Sequence, residues 1–157
     1  METCIINTPL GSAKICGDIN GISSVCLLNI EAQLSEVIPE VLLECVTQLK
    51  SYFKNERKSF DLKLNPEGTV FQKNVWHQLE TIPYGKTMSY LELAKQLGDA
   101  NVIRAAASAN SKNPLWIIVP CHRVIGSDGS LMGYAGGLHR KQWLINHESD
   151  YKQQSLF

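Results

Sequence analysis

The sequence predicts an α+β fold: a small N-terminal α/β domain with an antiparallel sheet, followed by a mostly helical domain containing a helix-turn-helix. Short β-rich runs separated by turn residues fill the first third of the chain, and apolar residues then recur at helical spacing. The 157 residues are 44% hydrophobic and 19% charged, as is ordinary for a folded globular protein. A turn at 65–68 places the domains at 1–65 and 66–157.

The N-terminal domain is predicted to be a three-stranded meander covered by one helix. The runs 3–8, 13–19 and 22–28 are rich in β-formers, and Asn20-Gly21 is a strong hairpin signal. Pro39 is a good first helical residue, and the helix after it can cover one face of the sheet. The alternating run 60–64 predicts a further strand.

The second domain is predicted to begin with a helix whose capping box is Thr69 and Gln72. A helix over 89–97 stops at Gly98, and another begins near Asn101, which is the helix-turn-helix pattern. Small side chains fill this last helix beside Arg104. Two interpretations stay open: a packed structural helix, or a helix that approaches a DNA groove while the arginine fills the space of a displaced base.

Composition indicates the cellular compartment and whether a membrane or a metal is involved. No apolar run approaches the roughly 18 residues of a membrane span, and no signal segment is evident, so we expect a cytoplasmic protein without a membrane partner. Five cysteines, an odd number without a C-x-x-C pair, favour a reducing compartment. A zinc site from Cys4, Cys16 or Cys26 with a distant histidine stays open, but no spacing calls for it, and no metal is expected.

The segment Pro120-Cys121-His122-Arg123-Val124 carries the clearest chemical signal. It places a thiol beside an imidazole at the end of an apolar run, and a nearby base can generate the reactive thiolate. A buried structural cysteine is the alternative.

The net charge is zero, but a local excess of cations fits either a nucleic-acid footprint or a solvated helix face. These cations are Lys86, Lys95, Arg104, Lys112 and Arg123.

Several motifs together resemble one family. They are Ser89-Tyr90, Arg104, Asn113-Pro114, PCHRV at 120–124, GYAGGL at 133–138 and KQWLINHE at 141–148. Over residues 66–150 the chain resembles the O6-alkylguanine-DNA alkyltransferases. The resemblance implies repair of double-stranded DNA by irreversible transfer of a methyl or small alkyl group from O6 of guanine to the protein's own cysteine, with O4 of thymine as a further candidate. It implies a monomer without a cofactor.

The resemblance also implies roles for individual residues. Cys121 is the nucleophile, His122 acts through a bridging water, Glu148 orients His122, and Tyr90 assists the leaving guanine at N3. Lys141 supports the pocket loop, and Arg123 is expected to anchor structure. The DNA-binding residues expected are Arg104, Ala105, Ala106, Ser108, Ala109 and Asn110. The pocket residues expected are Asn113, Trp116, Met132, Tyr134, Ala135, Gly136 and Gly137, with Trp116 and Met132 favouring small adducts.

Three other functions compete with this one. A non-catalytic sensor would bind and flip the damaged base, but a cysteine at 121 favours chemistry. A thiol hydrolase would use Cys121 and His122, yet an adjacent nucleophile and base are atypical of that class. A helix-turn-helix regulator would need a long polar recognition helix, against which the small residues after Arg104 argue.

Overall fold

A computed structural model describes residues 1–149 and has the predicted α+β fold. The chain divides into two compact units. The first contains residues 1–67 and the short segment Pro114–Ile118, and the second contains the rest. The predicted boundary at 65/66 treated the second domain as continuous, so the structure differs in residues 114–118. This segment joins the first unit because Val25 N–H donates to the Pro114 carbonyl and Trp116 N–H donates to the Val25 carbonyl.

The first unit is built on an antiparallel sheet of β1 (Glu2–Thr8), β2 (Gly11–Asp18) and β3 (Gly21–Leu27), in that order. The β2–β3 turn is Ile19-Asn20, one residue earlier than predicted, because Asp18 pairs with Gly21. Gly21 has φ +132°, and a Cβ there would lie 2.8 Å from the Lys63 carbonyl oxygen. Only glycine fits that approach without strain.

Helix α1 (Glu40–Phe53) packs against β1 and β2, as predicted, and buries Leu42 and Leu49 with Ile15 of the sheet. The prediction of a strand over 60–64 is wrong, since only Leu64 forms a bridge, parallel to Ile22. The Gln48 side chain accepts from the Asp61 N–H and donates to the Asp61 carbonyl, at 2.9 and 3.0 Å. An amide side chain therefore satisfies the backbone groups that a neighbouring strand would have paired.

The second unit is mostly helical. It contains α2 (Val70–Leu79), α3 (Tyr90–Gln96), α4 (Ile103–Ser111) and α5 (Leu138–Glu148). Two-residue strands β4 (Met88–Ser89) and β5 (Val124–Ile125) pair in parallel, and 3-10 turns occupy Ala100–Val102 and Cys121–Arg123. None of the helices within residues 1–149 is long and apolar enough to cross a membrane.

Local signals begin and end these helices. Both residues of the predicted capping box, Thr69 and Gln72, make their reciprocal bonds at the start of α2, and Ser89 with Glu92 does the same at α3. Gly98, at φ +105°, ends the first helix of the predicted helix-turn-helix. The turn after α3 leads into α4, and these two helices carry Tyr90, Arg104 and Ser108 of the site described below.

We expect Thr69→Ala to lower the free energy of unfolding by about 1 kcal/mol, because it removes the oxygen that accepts from Gln72 N–H. Urea denaturation of the purified protein measures the difference. Thr69→Ser is the control, since it keeps that oxygen. Equal unfolding midpoints for the alanine and serine variants would contradict this role of the cap.

Candidate active site

Cys121 lies in a 3-10 turn, and the backbone in and just before that turn accepts hydrogen bonds from two asparagine side chains. Its N–H donates to the Val119 carbonyl at 2.8 Å, and Asn113 Nδ2 donates to the same carbonyl at 2.8 Å. Asn110 Nδ2 donates to the Cys121 carbonyl at 3.4 Å. The cysteine is only 4% exposed. Asn113, predicted as a pocket residue, thus supports the turn of the nucleophile from within the unit.

The next residue, His122, is fully buried and bonds to Glu148 at the end of α5. Its Nε2 lies 2.7 Å from Glu148 Oε2, and among residues 1–149 its Nδ1 has no hydrogen-bond partner. Burial lowers the pKa of His122 despite the opposing effect of Glu148, so the imidazole is neutral at pH 7. An ionised Glu148 accepts a hydrogen bond from Nε2–H, which leaves the lone pair of the neutral ring on Nδ1.

The carboxylate of Glu148 is also held by Arg123. Arg123 Nε donates to Oε1 at 2.7 Å and Nη2 to Oε2 at 3.2 Å, a bidentate pair, while Nη1 donates to the Ile82 carbonyl at 2.6 Å. Burial alone would raise the pKa of Glu148, but His122 and Arg123 outweigh it and lower the pKa to about 2. The sequence predicts only an anchoring role for Arg123. Because a buried carboxylate needs a cation, the position of Arg123 next to His122 was a signal that it pairs with the same carboxylate.

The thiol itself is protonated in the resting protein. Burial raises the pKa of Cys121 to about 11, although a hydrogen bond from Asn113 and the charge of Lys141 act in the opposite direction. Nucleophilic chemistry at a cysteine requires the thiolate. The residue that follows Cys121 carries a neutral imidazole, which is a base.

Lys141 of α5 is a fully buried cation that ties together both ends of the segment 124–132. Its Nζ donates to the carbonyls of Val124 and Met132 and lies 5.6 Å from the centre of the Tyr90 ring. Burial lowers the pKa of Lys141 to about 8, and the neighbouring Cys121 opposes that shift. Lys141 was predicted to support the loop 134–137, but these contacts hold the segment that precedes it.

A cavity of about 620 Å³ opens beside this loop and brings together four predicted site residues. Tyr90, Arg104, Ser108 and Met132 line it. The Tyr90 hydroxyl donates to the Met132 carbonyl at 2.8 Å, and burial raises the pKa of Tyr90. A neutral phenol at the cavity wall is a hydrogen-bond donor for a ring nitrogen.

The predicted loop 134–137 is present but does not line this cavity. Tyr134 is buried, and burial followed by the nearby Cys121 raises its pKa well above the usual value. Ala135 is exposed, Gly136 accepts from Arg140 Nη1 at 3.3 Å, and Gly137 caps α5 at φ +96°. Tyr134 is therefore the member of this loop that lies near the thiol.

Trp116 differs from the other predicted pocket residues because it belongs to the first unit. Like Asn113 and the loop 134–137, it is absent from the lining of the cavity. Its N–H donates to the Val25 carbonyl at 3.0 Å. Its predicted effect on adduct size remains a prediction. Met132, the other bulky residue, does line the cavity and is 50% exposed.

The six predicted DNA-binding residues lie on two faces of α4, one exposed and one buried. Arg104, Ala105 and Ser108 are exposed. The prediction that the other three contact DNA is contradicted by their burial, because no more than 2% of their surface is accessible. They are Ala106, Ala109 and Asn110. With 3.6 residues per turn, a short helix packed on one side exposes only the other, and here Trp76 Nε1 donates to the Ala109 carbonyl at 2.8 Å.

No group of three or more His, Cys, Asp or Glu side chains within the described chain is placed to hold a metal ion. Cys16 and Cys26 are half-buried on the sheet, and Cys4 is buried. The chemistry available at the site is thus that of a buried thiol, a neutral imidazole, an ionised carboxylate and a phenol.

We expect Glu148→Gln to destabilise the protein by about 3 kcal/mol at neutral pH, because it leaves Arg123 without its buried counter-charge. The pKa of Glu148 is about 2 when folded and near 4.3 in an unfolded chain. Its contribution is therefore complete above the unfolded value and is lost as the pH falls towards 2.

Urea denaturation of wild type and Glu148→Gln, at neutral pH and at about pH 3, measures this difference. The gap between the two proteins should narrow at the lower pH. Glu67→Gln, at an exposed position, is the matched control and should stay close to wild type throughout. A gap that is independent of pH would contradict the ionised state of Glu148.

Comparison with known proteins covers both units. Residues 3–66 match the ribonuclease-like domain of 6-O-methylguanine DNA methyltransferase, and residues 70–150 match its DNA-binding domain. A methylated-DNA–protein-cysteine methyltransferase of Methanosarcina acetivorans is 46% identical over 94% of this chain and 98% of the relative. The protein of that name from Mycobacterium leprae is 42% identical over 96% and 94%.

Solved structures agree with these relatives. The crystal structure of Mycobacterium tuberculosis OGT in complex with DNA superposes with a TM-score of 0.85 at 40% identity, and covers 94% of this chain and 93% of that one. The resemblance predicted from the motifs is confirmed. This chain belongs to the 6-O-methylguanine DNA methyltransferase family.

Proposed function

We propose that this protein repairs double-stranded DNA by moving a methyl or small alkyl group from O6 of guanine irreversibly onto its own Cys121. The observation that carries the proposal is the buried bond between Glu148 and His122, which leaves Nδ1 as the free ring nitrogen of the residue that follows Cys121. Relatives named methylated-DNA–protein-cysteine methyltransferase and the DNA complex of Mycobacterium tuberculosis OGT support it.

Deprotonation of Cys121 is the first step of the proposed reaction. His122 Nδ1 takes the thiol proton, through a bridging water as the family resemblance implies, while Nε2 keeps its proton on Glu148. The imidazolium that forms is stabilised by the carboxylate it contacts. Lys141 offsets the charge of the thiolate, because it is the nearby cation that lowers the pKa of Cys121.

Transfer then proceeds by displacement at the alkyl carbon. A bond forms between Cys121 Sγ and the carbon while the bond from carbon to O6 breaks, and its electron pair stays with the guanine. The Tyr90 hydroxyl, which lines the cavity, donates to N3 of the departing ring once it leaves the Met132 carbonyl. This donation stabilises the developing negative charge.

The alkylated base has to leave the duplex before the thiol can reach it. Arg104 is exposed at the start of α4 and lines the same cavity as Tyr90, which suits a side chain that fills the vacated stack. Ala105 and Ser108, also exposed on α4, let the helix backbone approach the groove closely.

Each molecule acts once, because a thioether is a poor leaving group, and the reaction needs no cofactor. The site is assembled from residues of one unit of one chain, so a monomer suffices. The five cysteines are all free, which suits the reducing cytoplasm. A non-catalytic sensor is the alternative, and a cysteine at position 121 favours transfer.

Incubation with a duplex oligonucleotide carrying one O6-methylguanine should add a single methyl group to the protein. Intact mass followed by peptide mapping should locate it on Cys121. Cys121→Ala is the control and should gain no mass. Tight binding to the damaged duplex by the wild type without a mass change would identify a sensor instead.

Arg104→Ala should slow transfer from duplex DNA much more than transfer from the same oligonucleotide as a single strand, because only the duplex requires base flipping. We expect a loss of about tenfold or more on the duplex, because each tenfold is about 1.4 kcal/mol and unstacking costs a few kcal/mol. Lys112→Ala, which removes an exposed cation just after α4, is the control for general electrostatics. Equal slowing on both substrates would argue against a role of Arg104 in flipping.

A further inference from the structure

The turn Ile82–Gly85, which we call the 82–85 turn, meets the buried Arg123–Glu148 pair through each of three residues. The Ile82 carbonyl accepts from Arg123 Nη1, and the Tyr84 ring lies 5.7 Å from the Arg123 guanidinium carbon. The Tyr84 hydroxyl donates to the His147 carbonyl at a long 3.4 Å. A Cβ on Gly85 would lie 2.9 Å from the Glu148 carbonyl oxygen.

These contacts determine how the guanidinium is oriented. Glu148 Oε2 accepts from both Arg123 Nη2 and His122 Nε2, so a rotation of the guanidinium would move the oxygen that binds His122. The Ile82 carbonyl fixes one edge of the guanidinium, and an aromatic face at 5.7 Å restrains its plane. The ring of Tyr84 is half-buried, so this attraction is only partly screened by water.

We propose that Tyr84 is a positioning residue for alkyl transfer, whose ring holds the Arg123 guanidinium so that Glu148 keeps its shared oxygen on His122. The inference rests on the proposed function of Cys121 and His122. Gly85 contributes to the same positioning. Its positive φ of 80° and its lack of a side chain let the 82–85 turn lie against the end of α5. The ring, rather than the hydroxyl, is the acting group, since the hydroxyl bond is long.

Displacement of the Arg123 guanidinium shifts the pH dependence of alkyl transfer. The titratable and charged groups that face His122 and Glu148 come from the cysteine turn, from α5 and from the loop before it. They are Arg123, Lys141 and Tyr134. A displaced Arg123 stabilises the Glu148 carboxylate less and lowers the pKa of His122 less. Both pKa values then rise, and the acid limb of the rate profile moves to higher pH.

The test compares Tyr84→Leu with Tyr84→Phe in single-turnover methyl transfer, from about pH 5 to about pH 9. Tyr84→Leu removes the aromatic face and should move the acid limb up by about 0.7 pH unit, which is a loss of about fivefold on the acid side. Tyr84→Phe keeps the face and should match wild type. Tyr84→Met, which is unbranched and also lacks a ring, replaces the leucine variant if that one does not fold.

Two results would overturn the inference: an acid limb that does not move in Tyr84→Leu, or one that moves as far in Tyr84→Phe. A second readout, the NMR titration of the His122 ring protons, requires no substrate and should show a higher pKa in Tyr84→Leu. If the wild type transfers no methyl group, the proposed function fails. The His122 titration still decides whether Tyr84 positions Arg123.

Discussion

The site depends on the hydrogen bonds that the Glu148 carboxylate accepts from both His122 and Arg123. Its location at the last residue of α5 is electrostatically unfavourable, because the C-terminal end of a helix carries partial negative charge. Burial adds a second penalty. Arg123 offsets both through two hydrogen bonds, and Glu148 therefore stays ionised where an isolated carboxyl would bind a proton. Without that charge, His122 would lose the partner that fixes its tautomer.

The rest of the second unit can be understood as the support for this pair. The 3-10 turn presents Cys121, His122 and Arg123 in succession, and Asn110 and Asn113 hold its backbone from the end of α4 and just beyond. The turn cannot be satisfied by regular secondary structure, so side-chain amides replace the missing backbone partners. Small residues on the buried face of α4 let the helix pack closely enough for these amides to reach.

Much of this arrangement could be predicted from the sequence, and the exceptions have physical causes. The capping box at Thr69, the meander and the helix-turn-helix follow from local patterns, which is why they were found. Glu148 was found only through the family resemblance, since a glutamate near a helix end looks exposed by itself. The strand over 60–64 was wrong because Gln48, distant in sequence, bonds both backbone groups of Asp61, and only the end of the stretch pairs with Ile22. For α4 the sequence left a packed and a DNA-facing interpretation open, because alanine favours a helix in either setting, and the structure shows that one face is buried and the other exposed.

Burial keeps the Cys121 thiol protonated, although the proposed reaction needs the thiolate. Among the described residues, the site places a cation near the thiol without pairing that cation to a carboxylate. An apolar environment raises the pKa of Cys121 to about 11, which protects the thiol from ionising before substrate arrives. The same environment strengthens every charge interaction made during the reaction. Lys141, which contacts loop carbonyls rather than a carboxylate, remains available to stabilise the thiolate when it forms. In the proposed reaction, the Glu148 anion stabilises the imidazolium of His122 and the Lys141 cation stabilises the thiolate of Cys121, so both products of the proton transfer are stabilised.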